Sequence, residues 1–452
     1  MPLSISCRSF AIVMSEFQPA AWIAASPSRP LRGEIRVPGD KSISHRAIML
    51  AALADGISHV RGFLEGEDTR ASVRIFQQLG VRIDTPGDGE RIVHGVGIDG
   101  LSAPAAALDC GNSGTAMRLL AGLLAAQPFA CQLIGDESLS RRPMRRVTEP
   151  LAQMGADIRS AEDGRPPLVI SPVGRLQGIA YPSPVASAQV KSALLLAGLQ
   201  AEGETCVREP HPTRDYTERM LQAFGVNIEY RPGFARLRGG QRLAPCDIDV
   251  PRDFSSAAFA LVAATLVPAS DISLHDIGID PRRTGLLQLL QMMGADIELQ
   301  NRRQTALGEV ASLRVRHAPL NGIEVPMTLV PDMIDEFPVC FAAAACARGT
   351  TRIRGAAELR VKESDRIRAM AEGLCALGIA VDETPDGADI HGGLPVGGEV
   401  QSLGDHRIAM SFAVLAQCAR QPVRIADTAN VATSYPGFVA QMQRLGFALQ
   451  GM

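Results

Sequence analysis

Leu151-Ala-Gln-Met-Gly155-Ala-Asp-Ile158 returns later in the chain as Leu290-Gln-Met-Met-Gly294-Ala-Asp-Ile297. Each copy reads as the last turn of a helix, a glycine that ends it in a left-handed conformation, and the alternating start of a strand. The signature recurs at Phe76-Gln-Gln-Leu-Gly80-Val-Arg-Ile83, Leu221-Gln-Ala-Phe-Gly225-Val-Asn-Ile228, Leu374-Cys-Ala-Leu-Gly378-Ile-Ala-Val381 and Met442-Gln-Arg-Leu-Gly446-Phe-Ala-Leu449. The copies lie roughly 70 to 80 residues apart, too long for common solenoid repeats and suited to a small α/β unit.

Between these anchors a second helix is expected six times. It starts at Lys41-Ser42, Asn112-Ser113-Gly114-Thr115, Ser187-Ala188-Gln189, Phe254-Ser255-Ser256, Asp335-Glu336-Phe337 and Asp405-His406-Arg407. The runs that follow, such as Ala116 to Ala126, Val190 to Leu199 and Val339 to Ala347, are apolar on most faces. They read as buried helices whose polar starts reach an edge. Short β-branched stretches come next, for example Thr351-Arg-Ile353 and Val423-Arg-Ile425. The chain is therefore six strand–helix–strand–helix units with further strands, three to a domain. The break falls near Asp247 to Pro251, and its counterpart at the front is Ile35 to Gly39. Both precede a buried helix, so the chain crosses between domains twice, near 38–40 and 250–253. One domain takes 31–39 plus 252–452 and the other 40–251. Residues 1–30 read as a loose extension, with Met14 an alternative start.

Composition narrows the function. The 452 residues are 46% hydrophobic but only 4% aromatic, which calls for Ala, Leu, Ile and Val cores in which helices pack closely on sheets. A net charge of −3 argues against a nucleic-acid partner, which needs a basic face. Nine scattered cysteines without C-x-x-C fit reduced thiols in a cytosolic protein, and the histidines lack metal-binding spacing. The longest apolar run, Ala257 to Val267, is far short of the roughly 20 residues that span a bilayer.

Polar groups gather at the buried helix starts. In Gly39-Asp40-Lys41-Ser42-Ile43-Ser44-His45-Arg46, a lysine and an arginine join the positive end of a helix, making an anion seat. Taken alone, this stretch reads first as a capped surface helix. Asn112-Ser113-Gly114-Thr115-Ala116-Met117-Arg118 is an N-cap or a close approach to ligand. Ser140-Arg141-Arg142-Pro143-Met144-Arg145-Arg146 is a solvated basic turn or a phosphate clamp. Thr213-Arg214-Asp215-Tyr216 is weak by itself, and the carboxylates of Met333-Ile334-Asp335-Glu336 suit a helix cap. In Leu359-Arg360-Val361-Lys362-Glu363-Ser364-Asp365-Arg366, a helix would put Lys362 and Arg366 on one face, with an exposed salt-bridged helix as the bland reading. Gly95-Val-Gly97-Ile-Asp-Gly100 fits a dinucleotide fingerprint, but Pro104 follows and no helix opens.

With these motifs in this order, the sequence from about Leu31 onward resembles the 5-enolpyruvylshikimate-3-phosphate synthase family. The resemblance implies an inside-out α/β barrel of two domains, each of three βαβαββ units, with the active site between them. It also implies transfer of the enolpyruvyl group of phosphoenolpyruvate to the 5-hydroxyl of shikimate 3-phosphate, without metal or cofactor, by a cytoplasmic monomer. By position, Lys41, Ser42, Arg46, Ser187, Ala188, Gln189, Arg214, Asp335 and Lys362 would hold shikimate 3-phosphate. Lys41, Gly114, Arg142, Gln189, Arg366 and Arg407 would hold phosphoenolpyruvate. Asp335 would be the general base and Glu363 the general acid, with Lys41 bridging both substrates. Thr433 stands where the best-known form has a lysine contacting phosphoenolpyruvate. That change, Ala188, Lys191 and the Thr213-Arg214-Asp215 run look like the class II branch, which has glyphosate-tolerant members, while Gly114 keeps the small residue of sensitive enzymes. Partial glyphosate sensitivity is the expectation. The sister transferase acting on UDP-N-acetylglucosamine carries an acid cysteine where this chain has Ser138-Leu139-Ser140-Arg141-Arg142-Pro143. A non-catalytic repeat scaffold would have no use for Asp335 and Glu363.

Overall fold

The computed structural model describes residues 21–452. All six signature glycines lie in the left-handed region, at φ 89°, 93°, 83°, 106°, 81° and 105° for Gly80, Gly155, Gly225, Gly294, Gly378 and Gly446. A strand follows each of them: Arg82–Asp84, Asp157–Arg159, Ile228–Arg231, Asp296–Thr305, Val381–Thr384 and Ala448–Gly451.

Six sheets result, with one connection pattern. In the first, Ile248–Asp249 runs parallel to Ile57–Arg61, Glu90–His94 pairs antiparallel with it, and Arg82–Asp84 closes the far edge. The others repeat this order. The sheet of Thr350–Ile353 has three strands, and two isolated parallel bridges, Asn321 to Arg348 and Glu324 to Arg352, stand where its fourth would be. In four units the parallel pair is joined through a helix buried nearly all round: Gly114–Leu124, Ala188–Gly198, Phe337–Ala345 and His406–Ala416. The two other buried helices, Lys41–Leu53 and Phe254–Leu266, follow strands that pair in each other's units, since Arg32–Ile35 joins Asp271–Gly278 and Ile248–Asp249 joins Ile57–Arg61. Every residue of Phe254–Leu266 is buried, as its unbroken apolar run demands. The second helix of each unit, such as Glu67–Gln78, buries one face only.

The buried apolar side chains form two clusters. One runs from Ile43 to Val250 and also takes in Leu307. The other combines Trp22 to Val37 with Phe254 to Leu449. Leu307 tips a long hairpin, Asp296–Thr305 with Gly308–Arg316, and packs across into the opposite core. The chain passes between cores at two touching points. Asp40 N donates to Pro251 O at 2.8 Å, and Asp253 N donates to Pro38 O at 2.9 Å. Gly39 is required there, since a Cβ would sit 1.8 Å from Gly62 O.

The expected extension 1–30 also needs correction. Residues 1–20, and with them Met14, lie outside the described residues. Ala21–Ala25, however, is a strand between Val423–Ala426 and Ala448–Gly451, completing the last unit's sheet. Trp22 fixes it by stacking on Phe438 at 5.4 Å. Next, Arg32–Ile35 pairs in parallel with Asp271–Gly278, in the fourth unit. Among the described residues no helix is long and apolar enough to cross a membrane.

Candidate active site

Where the two cores face each other lies a cavity of about 500 Å³. Lys41, Ser42, Arg46, Gly114, Arg142, Ser187, Ala188, Gln189 and Arg214 line it from the first core, and Asp335, Lys362, Glu363, Arg366 and Arg407 from the second. Every residue assigned a substrate-binding or catalytic role from the sequence lines this one space.

The helix starts bring them there. Five of the six inner helices are capped by the side chain just before them. Asp40 accepts from Ile43 N, Ser113 from Ala116 N, Ser187 from Val190 N, Asp253 from Ser255 N and Asp405 from Arg407 N. The caps satisfy part of each first turn and leave its positive end toward the cavity. The helix Phe337–Ala345 differs. Asp335 lies before it in the 3-10 turn Ile334–Glu336 and caps nothing, so its carboxylate is free to meet the cations around it.

On the first core, Lys41 Nζ pairs with Asp68 and donates to Ser434 Oγ at 2.9 Å. Arg46 is buried, donating to Thr217 Oγ1 at 2.7 Å and Ser192 Oγ at 2.8 Å. Burial and then the neighbouring Arg214 lower its pKa to about 10. Gln189 accepts from Arg118 at 2.8 Å and donates to Thr115 Oγ1 at 2.9 Å. Arg142 holds Glu363 at 3.1 Å and Asn112 Oδ1 at 3.0 Å.

Asp335 is the electrostatic focus of the second core. Lys362, Arg214 and Arg283 approach its carboxylate at 3.6, 3.5 and 3.2 Å, and Arg407 donates to its carbonyl at 2.8 Å. Burial alone would raise its pKa, but the charges of Lys362, Arg407, Arg214 and Arg283 hold it well below the usual carboxylate range. Glu363 behaves likewise. Burial opposes its ionisation, and Arg366 at 2.7 Å with Arg142 at 3.1 Å more than offsets that, keeping it well below the usual range. Arg366 is anchored in turn by Asp405 at 2.7 Å.

The shared helical face expected for Lys362 and Arg366 is not formed. Lys362 has an extended backbone between the 3-10 turn Ala357–Val361 and the helix Arg366–Ala376. Asp365 caps that helix through Arg368 N, which starts it one residue later and leaves Lys362 free to swing to Asp335. Thr433 is absent from the cavity lining; its hydroxyl donates to Asn430 O at 2.7 Å, while Ser434 faces the space and meets Lys41.

Sequence reading passed over three contributors. Arg283 is buried and bridges Asp335 to Asp253 at 3.1 Å. Arg118, quoted within a motif but given no role, is buried, and burial followed by Arg146 and Arg142 lowers its pKa to about 9. Asp68 balances Lys41, its pKa raised chiefly by burial. Arg118 carried the available signal: it lies one helical turn beyond Gly114, on the same face. Arg283, in Asp280-Pro-Arg-Arg-Thr, showed no local sign. In all, eleven lysines and arginines and five aspartates and glutamates line the cavity, a surplus of six positive charges.

Two α/β cores facing each other across a cationic cavity with two half-buried carboxylates define an enzyme that takes small polyanions. The chain belongs to the EPSP synthase (3-phosphoshikimate 1-carboxyvinyltransferase) family, whose model matches residues 25–442. It is 63% identical over 428 residues to the 3-phosphoshikimate 1-carboxyvinyltransferase of Xanthomonas campestris pv. campestris (strain B100), covering 95% of this chain and 98% of the relative. It is 63% identical over 429 residues to that of Xanthomonas oryzae pv. oryzae (strain PXO99A), covering 95% and 97%. A solved EPSP synthase from Acinetobacter baumannii superimposes with a TM-score of 0.86 at 48% identity, covering 95% of this chain and 99% of that one.

Proposed function

We propose that this chain transfers the enolpyruvyl group of phosphoenolpyruvate to the 5-hydroxyl of shikimate 3-phosphate and releases phosphate. The observation that carries the reading is the charge of the cavity. Each substrate bears one phosphate and one carboxylate, about five to six negative charges in all near neutral pH. The surplus of six positive charges in the cavity matches that load, while Asp335 and Glu363 supply two carboxyl groups for proton transfer.

Lys41, Ser42, Arg46, Ser187, Ala188, Gln189, Arg214 and Lys362 hold shikimate 3-phosphate, and Gly114, Arg142, Arg366 and Arg407 hold phosphoenolpyruvate, with Lys41 and Gln189 facing both. Asp335 takes the proton of the 5-hydroxyl as the oxygen bonds to C2 of phosphoenolpyruvate, and Glu363 protonates the methylene carbon. The tetrahedral intermediate then expels phosphate, which carries off the proton held by Asp335, while Glu363 takes back a methyl proton and the double bond of the product is restored. Substrate anions make these roles possible. In the free protein, cations hold both carboxyls ionised. When substrate phosphate and carboxylate draw on Lys362, Arg407, Arg142 and Arg366, the remaining burial raises both pKa values, so Asp335 gains basicity and Glu363 can carry a proton. The fixed cations and helix starts then stabilise charge on the departing phosphate.

The two cores act as two domains, 31–39 with 252–452 and 40–251, that close about the crossings at 38–40 and 250–253. The site is complete within one chain, which supports a monomer that needs only its two small substrates. Eight free cysteines among the described residues fit a reducing, cytoplasmic setting. The test is phosphate release from phosphoenolpyruvate with shikimate 3-phosphate against UDP-N-acetylglucosamine. Turnover with the second acceptor alone would overturn the reading.

A further inference from the structure

Behind the cavity wall lies a charged cluster that the proposed reaction does not use. Lys191, in the first turn of the inner helix Ala188–Gly198, is 3% exposed at its side chain and pairs with Glu209 at 2.8 Å and Glu218 at 2.9 Å, themselves 1% and 2% exposed. An exposed Lys–Glu pair is worth little, but one lysine between two fully buried carboxylates is a costly arrangement that persists only when well satisfied. The two carboxylates bracket one connection. Glu209 follows the strand Glu204–Arg208, and Glu218 lies in the helix Tyr216–Ala223. Glu209 also accepts from the Thr213 hydroxyl, so the connection is tied at its start, its middle and its end.

That connection carries Arg214, which meets Asp335 across the cavity at 3.5 Å. Beside Glu218, Thr217 Oγ1 accepts from Arg46 Nε, and Ser192, beside Lys191, accepts from Arg46 at 2.8 Å. Both cations served by the cluster are ones read above as binding shikimate 3-phosphate. Neither Arg142, Arg366 nor Arg407 touches it.

We propose that Lys191 is a positioning residue for the shikimate 3-phosphate half of the site, holding Arg214 and Arg46 in place through Glu209 and Glu218. The proposal rests on the substrate assignment given above. Burial and the lone oxygen of Glu218 left without a hydrogen-bond partner give the cluster no slack to absorb a lost partner.

The experiment is steady-state kinetics of the full-length Lys191→Met and Glu209→Gln variants, with phosphate release as readout. Lys191→Met is expected to raise KM for shikimate 3-phosphate by at least tenfold while KM for phosphoenolpyruvate and kcat stay within about threefold. Glu209→Gln keeps Lys191 paired with Glu218 and should show the same selective rise, three- to tenfold. If Lys191→Met does not fold, Glu209→Gln alone decides. An unchanged KM for shikimate 3-phosphate in a folded variant, or an equal rise for both substrates, overturns the proposal. Wild-type protein inert toward shikimate 3-phosphate overturns the functional reading, and the proposal with it.

Discussion

Gly114→Ala adds a single methyl group at the head of an inner helix. Gly114 is not at a positive φ, so the backbone accepts alanine without strain, and alanine favours the helix. The new Cβ would lie 2.8 Å from Arg118 Nη1 and 3.3 Å from Arg142 Nη1. Ordinary contact begins near 3.4 Å, so the Arg118 guanidinium must retreat by roughly half an ångström. It has little freedom to do so. Arg118 is buried and gives its Nη1 to Gln189 at 2.8 Å and to Gly114 O at 3.3 Å. The methyl group and the displaced guanidinium intrude on the space assigned to phosphoenolpyruvate, and weakening one charge-assisted hydrogen bond to that substrate costs about 1.5–3 kcal/mol. That corresponds to a rise of about 10- to 150-fold in KM for phosphoenolpyruvate, with kcat and thermal stability much less affected. Phosphate-release kinetics with each substrate varied in turn measure it. Wild-type enzyme should also show micromolar glyphosate inhibition competitive with phosphoenolpyruvate, weakened in the variant. A Gly114→Ala enzyme whose KM for phosphoenolpyruvate stays within twofold, or whose inhibition is unchanged, would refute the steric argument.

Further outcomes concern the base, the hinge and the first strand. Asp335→Asn should lower kcat by about 10²- to 10⁴-fold and leave shikimate 3-phosphate binding, read by calorimetry, intact or tighter; a fully active variant would remove Asp335 from its role. Asp40 has its pKa raised to about 6, by burial first and then by Asp253. Its folded value lies above its unfolded one, so ionising Asp40 costs the fold nothing in acid and up to about 3 kcal/mol as pH climbs from about 4 through 6. Asp40→Asn keeps the Ile43 cap and removes that loss, so its melting temperature should exceed wild type at about pH 8 and converge with it near pH 4; a lower value at pH 8 would contradict the account. Trp22→Ala should destabilise the fold by about 3–5 kcal/mol in urea titration, because a buried, stacked indole would leave a cavity; a change below about 1 kcal/mol would show that the strand does not depend on it.

Much of the architecture was legible in local pattern. A glycine that ends a helix does so through its own φ, and an apolar run without a polar face has to be buried wherever it lies. The six glycines, the six inner helices and the polar residues at their starts therefore follow from short stretches of chain. Tertiary structure alone decided the partnerships. Ala21–Ala25 reads as part of a loose tail until Trp22 faces Ile425 across the sheet, and no local period encodes a partner so distant. Asp335 has the sequence context of a helix cap, yet the 3-10 turn withdraws it from that duty and gives it to Lys362, Arg214 and Arg283. Lys362 has helical spacing to Arg366 but an extended backbone, because Asp365 caps the following helix. Arg283 and Lys191 acquire their meaning only from what the fold sets within 3.2 Å of them. Secondary structure is dictated by neighbours along the chain, whereas the field inside a cavity is summed over side chains that only folding brings together.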